Sequence, residues 1–194
     1  MWKMAEIARR PRYRLAEYLI LEDMGNVRHE YLDGHIFARA GGTPEHGGIC
    51  ANLIALLSNA LAGRACRVFT SDVRVRVRAT GLDTYPDASV VCGRPERDVE
   101  DTNALTNPLV LVEVTSPNTE AYDRGEKLEH YQRIPSLREV LIAAHAETRV
   151  DVWRRGSGEE WTVESVGPEA AVHFESLSCE LPVAEIYRNP LPSG

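Results

Sequence analysis

The stretch that constrains the fold most is residues 109–114, Leu-Val-Leu-Val-Glu-Val, which is apolar at every position except Glu113. Strands that are buried on both faces of a sheet read as nearly continuous apolar runs, whereas half-exposed strands alternate. We therefore predict a central strand here. A carboxylate inside such a strand is costly unless it is paired or binds a cation, so Glu113 is the first candidate for a functional residue.

Helical and strand patterns are mixed along the rest of the chain, which predicts an α/β fold of the α+β kind with β-hairpins. A length of 194 residues indicates one domain. We place this domain at residues 13–194, after a basic N-terminal arm at residues 1–12. The predicted helices are 13–24, 46–62 and 119–133. The predicted strands include 109–114, 137–144 and 149–154, the last two joined as a hairpin.

Two segments show strict local patterns. Asp33-Gly34 lies between two short apolar runs, which is typical of a hairpin with a type I′ turn. Residues 66–78 end in alternating valines and arginines, with Arg74, Arg76 and Arg78 on one face. Such arginines most often form a solvated face of a sheet, although Arg74 and Arg76 could also contact phosphate.

Composition favours an intracellular, cytoplasmic protein. The chain has no run of 18 apolar residues, which predicts no membrane partner, and its start lacks the apolar stretch of a secretory signal. The four cysteines are widely spaced without a Cys-x-x-Cys pair, which argues against a zinc site and gives no disulfide framework. Three of them have apolar neighbours, where reduced core thiols are the default. No phosphate-binding glycine-rich loop is present, so we expect no nucleotide cofactor.

Lysine is nearly absent. Of 22 basic residues only Lys3 and Lys127 are lysines. Lysine carries a compact ammonium that can press on a single oxygen and can lose its proton when buried, which arginine does not do. Chance survival is a plain alternative, but Lys127 is the candidate outside the arm for a chemical role.

Asp87 follows Pro86 near the start of a predicted strand and complements Glu113. If the two strands are neighbours in one sheet, both carboxylates can point into one cleft. Two converging carboxylates form a minimal oxygen-ligand site for Mg²⁺. A bound metal can polarise a phosphate and lower the pKa of its water, and a nearby ammonium can neutralise developing charge. We therefore expect Mg²⁺ or Mn²⁺ as the cofactor.

These residues resemble the core of the PD-(D/E)XK nucleases, and the finer pattern is similar to a bacterial family of putative restriction endonucleases. The resemblance spans residues 13–187. The matching stretches are Arg28-His-Glu30-Tyr-Leu-Asp-Gly-His, Gly42-Thr-Pro-Glu-His46, Ser71-Asp72-Val-Arg-Val, Tyr85-Pro-Asp87-Ala-Ser-Val-Val, Val112-Glu113-Val-Thr-Ser-Pro-Asn-Thr119 and Tyr122-Asp123-Arg-Gly-Glu-Lys127.

The resemblance implies a restriction-endonuclease-like mixed β-sheet flanked by helices and a Mg²⁺-dependent endonuclease that hydrolyses DNA. Asp87 and Glu113 would be metal ligands, and Glu30 an additional acid near the metal. The chain departs from the superfamily pattern because Thr115 stands where the lysine is usual. The resemblance implies that Lys127, on the following helix, takes that role. Further residues are candidates for support or substrate contact: His46, Asp72, Arg74, Arg76 and Asp123.

Structural alternatives remain open for each of these residues. Asp87 could cap a turn, Glu113 could pair with an arginine, and Glu30 could be a cross-strand partner. Lys127 could form helix pairs with Asp123 or Tyr131. At the level of function, the alternative is a non-catalytic nucleic-acid-binding or interaction protein that retains the fold, which the net charge of −7 favours. If the chain is a nuclease, we expect a homodimer, since two symmetric sites cut both strands of a duplex.

Overall fold

The computed structural model describes residues 11–39 and 42–188, which form five helices and thirteen strands. Most of the predicted arm, 1–12, lies outside the described residues. The helices are α1 (Leu15–Met24), α2 (Pro44–Ala60), α3 (Glu120–Arg124), α4 (Glu126–Tyr131) and α5 (Val183–Ile186). The strands are β1 (His29–Leu32), β2 (His35–Ala38), β3 (Cys66–Thr70), β4 (Arg74–Val77), β5 (Leu82–Thr84), β6 (Ala88–Cys92), β7 (Ala104–Leu105), β8 (Val110–Val114), β9 (Glu139–Ala143), β10 (Val150–Arg155), β11 (Trp161–Val166), β12 (Ala171–Phe174) and β13 (Cys179–Pro182).

The strands build two larger sheets and one small one. The six-stranded sheet has the order β11-β10-β9-β8-β6-β3, and the five-stranded sheet has the order β2-β1-β5-β4-β7. In the six-stranded sheet β8 and β9 run parallel, while the other neighbours run antiparallel. Strands β12 and β13 form a hairpin of their own. The predicted α+β class with a mixed sheet is therefore confirmed.

Strand β8 is central, as its apolar run predicts, and both of its faces are covered. Val112 belongs to a core in which Leu53 of α2 is buried. Leu111, on the opposite face, belongs to a second core with Leu128 of α4 and Val75 of β4. Helix α2 and the five-stranded sheet thus lie on opposite sides of β8, which explains why no polar alternation is visible in its sequence.

The predicted turns and helices mostly agree with the structure. Asp33 and Gly34 have φ angles of 46° and 84°, and two positive φ values define the type I′ turn that was predicted. The predicted helix 119–133 is divided into α3 and α4 at Gly125. A Cβ at Gly125 would lie 3.0 Å from the carbonyl oxygen of Ala121, so this position accommodates a close backbone approach. None of the helices in the described parts of the chain is long and apolar enough to cross a membrane.

The expectation that the cysteines form no disulfide is wrong for one pair. Cys66 and Cys92 face each other on the paired strands β3 and β6 and are joined by a disulfide. The two residues are 26 positions apart, so only the antiparallel pairing of these strands brings them together. Cys50 and Cys179 are free thiols.

Candidate active site

A cleft of about 760 Å³ opens between the two larger sheets and the start of α2. Strand pairing accounts for its two central acids. Ala88 of β6 lies opposite Val112 of β8, and continuing that register by one residue places Asp87 opposite Glu113. Both acids line the cleft, and Asp87 Oδ2 also accepts a hydrogen bond from the backbone N–H of Val114, next to Glu113. Six of the predicted site residues line the cleft: Glu30, His46, Asp87, Glu113, Asp123 and Lys127.

Lys127 reaches into the cleft from α4 and lies among three carboxylates. Its Nζ atom is 3.0 Å from Oε1 of Glu113, 3.2 Å from Oε1 of Glu30 and 3.6 Å from Oδ1 of Asp123. The Lys127 side chain is only 5% exposed. The partner of Glu113 is therefore a lysine and not an arginine. The helix pair with Asp123 is also present, as one part of a larger arrangement.

Burial and mutual charge shift the proton affinities of this group. Burial raises the pKa of Glu113 to about 8, and the charges of Asp87 and Asp123 act in the same direction against Lys127 and Tyr131. Burial lowers the pKa of Lys127, but the charges of Glu113, Tyr131 and Glu30 outweigh it and leave that pKa above its ordinary value. The Lys127 ammonium therefore stays protonated. The raised pKa of Glu113 means that the group of carboxylates favours the binding of a further proton or cation.

Asp87 has three partners of its own. Its Oδ1 accepts a hydrogen bond of 2.5 Å from Arg39, and its Oδ2 accepts one of 2.8 Å from the backbone N–H of Val114. His46 Nε2 lies 3.2 Å from the same Oδ2. Burial raises the pKa of Asp87, but His46, Arg39 and the Val114 N–H outweigh burial and hold it below its ordinary value. Asp87 is therefore an anchored anion rather than a simple turn cap.

His46 lies in the first turn of α2, and the residues before it form a stable helix N-terminus. Thr43 is the N-cap, its hydroxyl accepts a hydrogen bond from the His46 N–H, and Pro44 follows at the first helical position. The hydrogen bond to Asp87 raises the pKa of His46. A Cβ at Gly42 would lie 2.5 Å from Nδ1 of His46, so the ring occupies space that only glycine leaves free.

The structure adds contacts of Tyr131, which the sequence offered only as a helix partner of Lys127, and two residues that the sequence did not single out, Thr84 and Arg39. The Tyr131 hydroxyl donates to Oε1 of Glu113, and the Thr84 hydroxyl donates to Oε1 of Glu30. Arg39 contacts Asp87 from the end of β2. The spacing of four residues between Lys127 and Tyr131 indicates that both share one helix face, but it does not reveal that Tyr131 contacts Glu113. For Thr84 and Arg39 the sequence offers no comparable signal.

Three predicted site residues lie elsewhere. Asp72 is exposed and bonds to Arg28 and Thr70 instead of lining the cleft. Arg74 is buried and forms two hydrogen bonds, of 2.5 and 2.8 Å, to Asp101.

Arg76 pairs with the fully buried Asp83. The predicted solvated face is therefore wrong for Arg74, which is buried, and for Arg76, which is mostly covered, whereas Arg78 is 54% exposed. The alternation correctly separates arginines from valines, but it cannot reveal that acids from later segments cover the arginines.

Two sets of ligand atoms in the cleft could hold a metal ion. The first is the pair of carboxylates of Asp87 and Glu113, which offers oxygen alone. The second set contains His46, Cys50 and Asp87, whose ligand atoms all lie within 4.8 Å of one another. Asp87 belongs to both sets.

Residues 15–184 match the model of the Uma2 family, whose description is "Putative restriction endonuclease". The chain belongs to this family. It is 34% identical over 178 residues to an uncharacterized protein of Synechocystis sp., covering 92% of this chain and 93% of that relative. A second uncharacterized Synechocystis sp. protein is 29% identical over 163 residues, covering 84% of this chain and 92% of the relative.

The fold of this Uma2 family member is also similar to a solved structure. The crystal structure of a putative nuclease belonging to DUF820 from Anabaena variabilis matches with a TM-score of 0.72 at 20% identity. The match covers 88% of this chain and 95% of the other. The resemblance found in the sequence is thus confirmed for both family and fold.

Proposed function

We propose that this Uma2 family protein is a Mg²⁺- or Mn²⁺-dependent endonuclease that hydrolyses phosphodiester bonds of DNA. The observation that carries the proposal is the position of Lys127, whose Nζ lies 3.0 Å from Glu113 in the cleft that also contains Asp87. In the PD-(D/E)XK pattern the lysine usually stands where this chain has Thr115. Here a lysine on α4 lies in the cleft instead. Among the described residues Lys127 is the single lysine.

The donor atoms of the cleft fit a hard divalent cation. Mg²⁺ takes oxygen ligands and keeps several waters, so it needs only one or two protein carboxylates. Lys127 and Tyr131 both contact Oε1 of Glu113, which leaves Oε2 for a cation. The ion would be held by Asp87 and Glu113, with Glu30 beside it. When bound, it would supply Lewis-acid polarisation of the scissile phosphate and a water of lowered pKa.

The side chains around the cleft have separate tasks in this scheme. Lys127 orients the attacking water and balances negative charge that develops on the phosphate. Tyr131 fixes the rotamer of Glu113, and Thr84 fixes that of Glu30 through its hydroxyl. Arg39 donates a hydrogen bond to Asp87 and lines the cleft. Its guanidinium can therefore also donate to a phosphate oxygen, because the planar group carries several N–H donors in a fixed arrangement.

DNA as the substrate and a homodimeric state are parts of the same proposal. The acidic net charge of −7 disfavours long-range attraction to DNA, but Arg28 and Arg39 line the cleft and provide local positive charge. A dimer related by a two-fold axis would present two clefts to the two strands. Light scattering that returns the 21.6 kDa monomer at micromolar concentration would contradict the dimer.

One observation favours the second candidate, a non-catalytic binding protein that retains the fold. Arg39 and His46 already neutralise Asp87 without a metal, as they would in a purely structural ion-pair network. This candidate expects nucleic-acid or protein binding that neither Mg²⁺ nor Mn²⁺ alters.

The deciding experiment is a cleavage assay with supercoiled, linear and single-stranded DNA and with RNA, each in Mg²⁺, Mn²⁺ or EDTA. The parental protein should cut DNA only with metal. Asp87→Ala should not cut, whereas Glu147→Ala, which removes an exposed acid outside the cleft, should cut at the parental rate. Absence of cleavage on every substrate, or equal cleavage by Asp87→Ala, would reject the nuclease assignment.

A further inference from the structure

His46 and Cys50 lie one helical turn apart on α2, and both face Asp87. The Cys50 Sγ atom is 3.6 Å from Nδ1 and 4.0 Å from Nε2 of His46. Nε2 is in turn 3.2 Å from Oδ2 of Asp87. The three ligand atoms therefore converge on one point at the wall of the cleft, beside the carboxylate pair of the proposed nuclease site.

We propose that His46, Cys50 and Asp87 form a second metal site, which is selective for Zn²⁺ and chemically similar cations. Thiolate and imidazole are the ligands that zinc prefers, whereas Mg²⁺ is bound through oxygen and avoids sulfur. The sequence concealed this site because its pattern is His-x-x-x-Cys on a helix and the third ligand comes from a distant strand.

The distances agree with tetrahedral coordination. Bonds of about 2.0–2.1 Å to nitrogen, 2.3 Å to sulfur and 2.0–2.2 Å to oxygen imply ligand–ligand separations of roughly 3.4–3.6 Å. The observed 3.2 Å from Nε2 of His46 to Oδ2 of Asp87 and 4.0 Å from Nε2 to Sγ of Cys50 lie on either side of that range. All three ligand atoms lie within 4.8 Å of one another, so small side-chain adjustments would be needed to bring them to tetrahedral separations.

The surroundings hold the ligands in place and leave the site accessible. Asp87 Oδ2 accepts one hydrogen bond from the Val114 N–H. Its other lone pair faces Nε2 of His46 at 3.2 Å, and a metal between these two atoms would take the place of the proton on Nε2. His46 and Cys50 are fixed four residues apart on a helix with a capped start. All three ligands line the cleft, which provides an entry path and room for water as the fourth ligand. Coordination releases the Cys50 thiol proton and any proton on Nε2 of His46.

Because Asp87 belongs to both sets of ligands, the two sites compete. A cation held by His46, Cys50 and Asp87 withdraws Asp87 from the pair with Glu113. Zn²⁺ at this site would therefore inhibit cleavage, a consequence that rests on the proposed nuclease function. The zinc-class site itself does not depend on that function.

The test uses Co²⁺ as a spectroscopic substitute for Zn²⁺, in the absence of DNA and Mg²⁺. Titration of the full chain with Co²⁺ should produce thiolate-to-cobalt charge-transfer absorption, which Zn²⁺ abolishes and millimolar Mg²⁺ does not. Cys50→Ser should lose that absorption. Since even loss of an outer partner weakens metal binding by about 10–100-fold, Cys50→Ser and His46→Gln should weaken Zn²⁺ affinity by at least this factor.

Cys179→Ser is the matched control, because Cys179 is also a free, partly buried thiol but lies away from the cleft. It should keep the parental absorption. Circular dichroism and thermal melting of each variant establish that it is folded. A folded Cys50→Ser variant with unchanged cobalt absorption, or loss of the signal in Cys179→Ser instead, overturns the assignment of Cys50.

Glu113→Gln separates this site from the proposed nuclease function. It removes a ligand of the carboxylate pair alone, so it should abolish cleavage and keep the cobalt absorption. If the parental protein shows no cleavage but binds Co²⁺ through Cys50, the nuclease function fails and the metal site stands. If it cuts DNA but shows no thiolate-to-cobalt band, the metal site fails and the nuclease function stands.

Discussion

Two clusters of buried charges in this molecule are each centred on one basic side chain, and they differ in the number of acids around it. The arginine cluster consists of Arg74, Asp101, Tyr85 and Glu22, joined by hydrogen bonds of 2.5–2.8 Å. The acidic cleft is centred on Lys127, which is 5% exposed, close to the 6% of Arg74. Arg74 makes a two-pronged bond to a single carboxylate, whereas Lys127 faces three carboxylates with a fourth, Asp87, nearby.

This difference distinguishes a structural network from a candidate site. In the arginine cluster the planar fork of Arg74 fills both oxygens of Asp101, and none of the cluster's four residues lines the cleft. In the cleft, Glu30, Glu113 and Asp123 share one compact ammonium, and the raised pKa of Glu113, about 8, means that the group favours a further proton or cation. An uncompensated group of buried carboxylates is costly, and a bound cation is the natural compensation.

The largest expected effect is loss of activity when a carboxylate of the cleft is removed. Asp87→Ala and Glu113→Ala should each lower the cleavage rate by more than about 10³-fold, since removal of one electrostatic partner alone costs about 10²–10³-fold. Calorimetry should show lost or strongly weakened Mg²⁺ and Mn²⁺ binding. Asp101→Asn, in the arginine cluster, should keep both metal binding and activity. Unchanged affinity in both cleft variants rejects the carboxylate metal site.

The next effect concerns stability and should be confined to the arginine cluster. Arg74→Ala leaves Asp101 buried without its cation, and breaking a buried pair typically costs about 3–5 kcal/mol. Arg12→Ala removes an arginine that is 67% exposed and pairs with Asp33, which is 73% exposed, so it should cost at most about 1 kcal/mol. Urea unfolding measures both. Equal stability of the two variants, or loss of activity in folded Arg74→Ala, would remove the distinction between the clusters.

Exchanging lysine and arginine should lower the cleavage rate in the cleft and the stability in the arginine cluster. Lys127→Arg introduces a larger planar group that does not lose its proton at working pH, so it should lower the single-turnover rate by about 10²–10³-fold, as should Lys127→Ala. Both variants should keep the metal, since Lys127 is not a ligand. Arg74→Lys should weaken stability but not the rate. A Lys127→Arg variant that cuts at the parental rate would return Lys127 to a structural role.

The smallest effects are expected from a pair of tyrosines. Tyr131→Phe removes the hydroxyl that bonds to Glu113, and Tyr85→Phe removes the one that links Arg74 to Glu22. Each should lower stability by about 1–2 kcal/mol, as for other hydrogen bonds to charged groups. Of the two variants, only Tyr131→Phe should also slow cleavage, by up to about tenfold. If both variants cut equally fast, Tyr131 does not position Glu113.

The sequence by itself determined the elements whose signals are local. The apolar run around Glu113 predicts a strand that is buried on both faces, and β8 is one. Asp33-Gly34 predicts the turn that joins β1 to β2, because only a few residues tolerate positive φ. The positions of Asp87, Glu113 and Lys127 in one cleft follow from the same patterns together with the family resemblance, and their roles remain predictions.

Only the tertiary structure decided which distant groups meet. Alternation placed Arg74 and Arg76 on one face, but Asp101 and Asp83, from later segments, made that face a buried network. Strand pairing joined Cys66 to Cys92, and α2 brought Cys50 and His46 to Asp87. Such contacts depend on register and packing between segments that are far apart in the chain. The local conformational preferences of a sequence do not specify them.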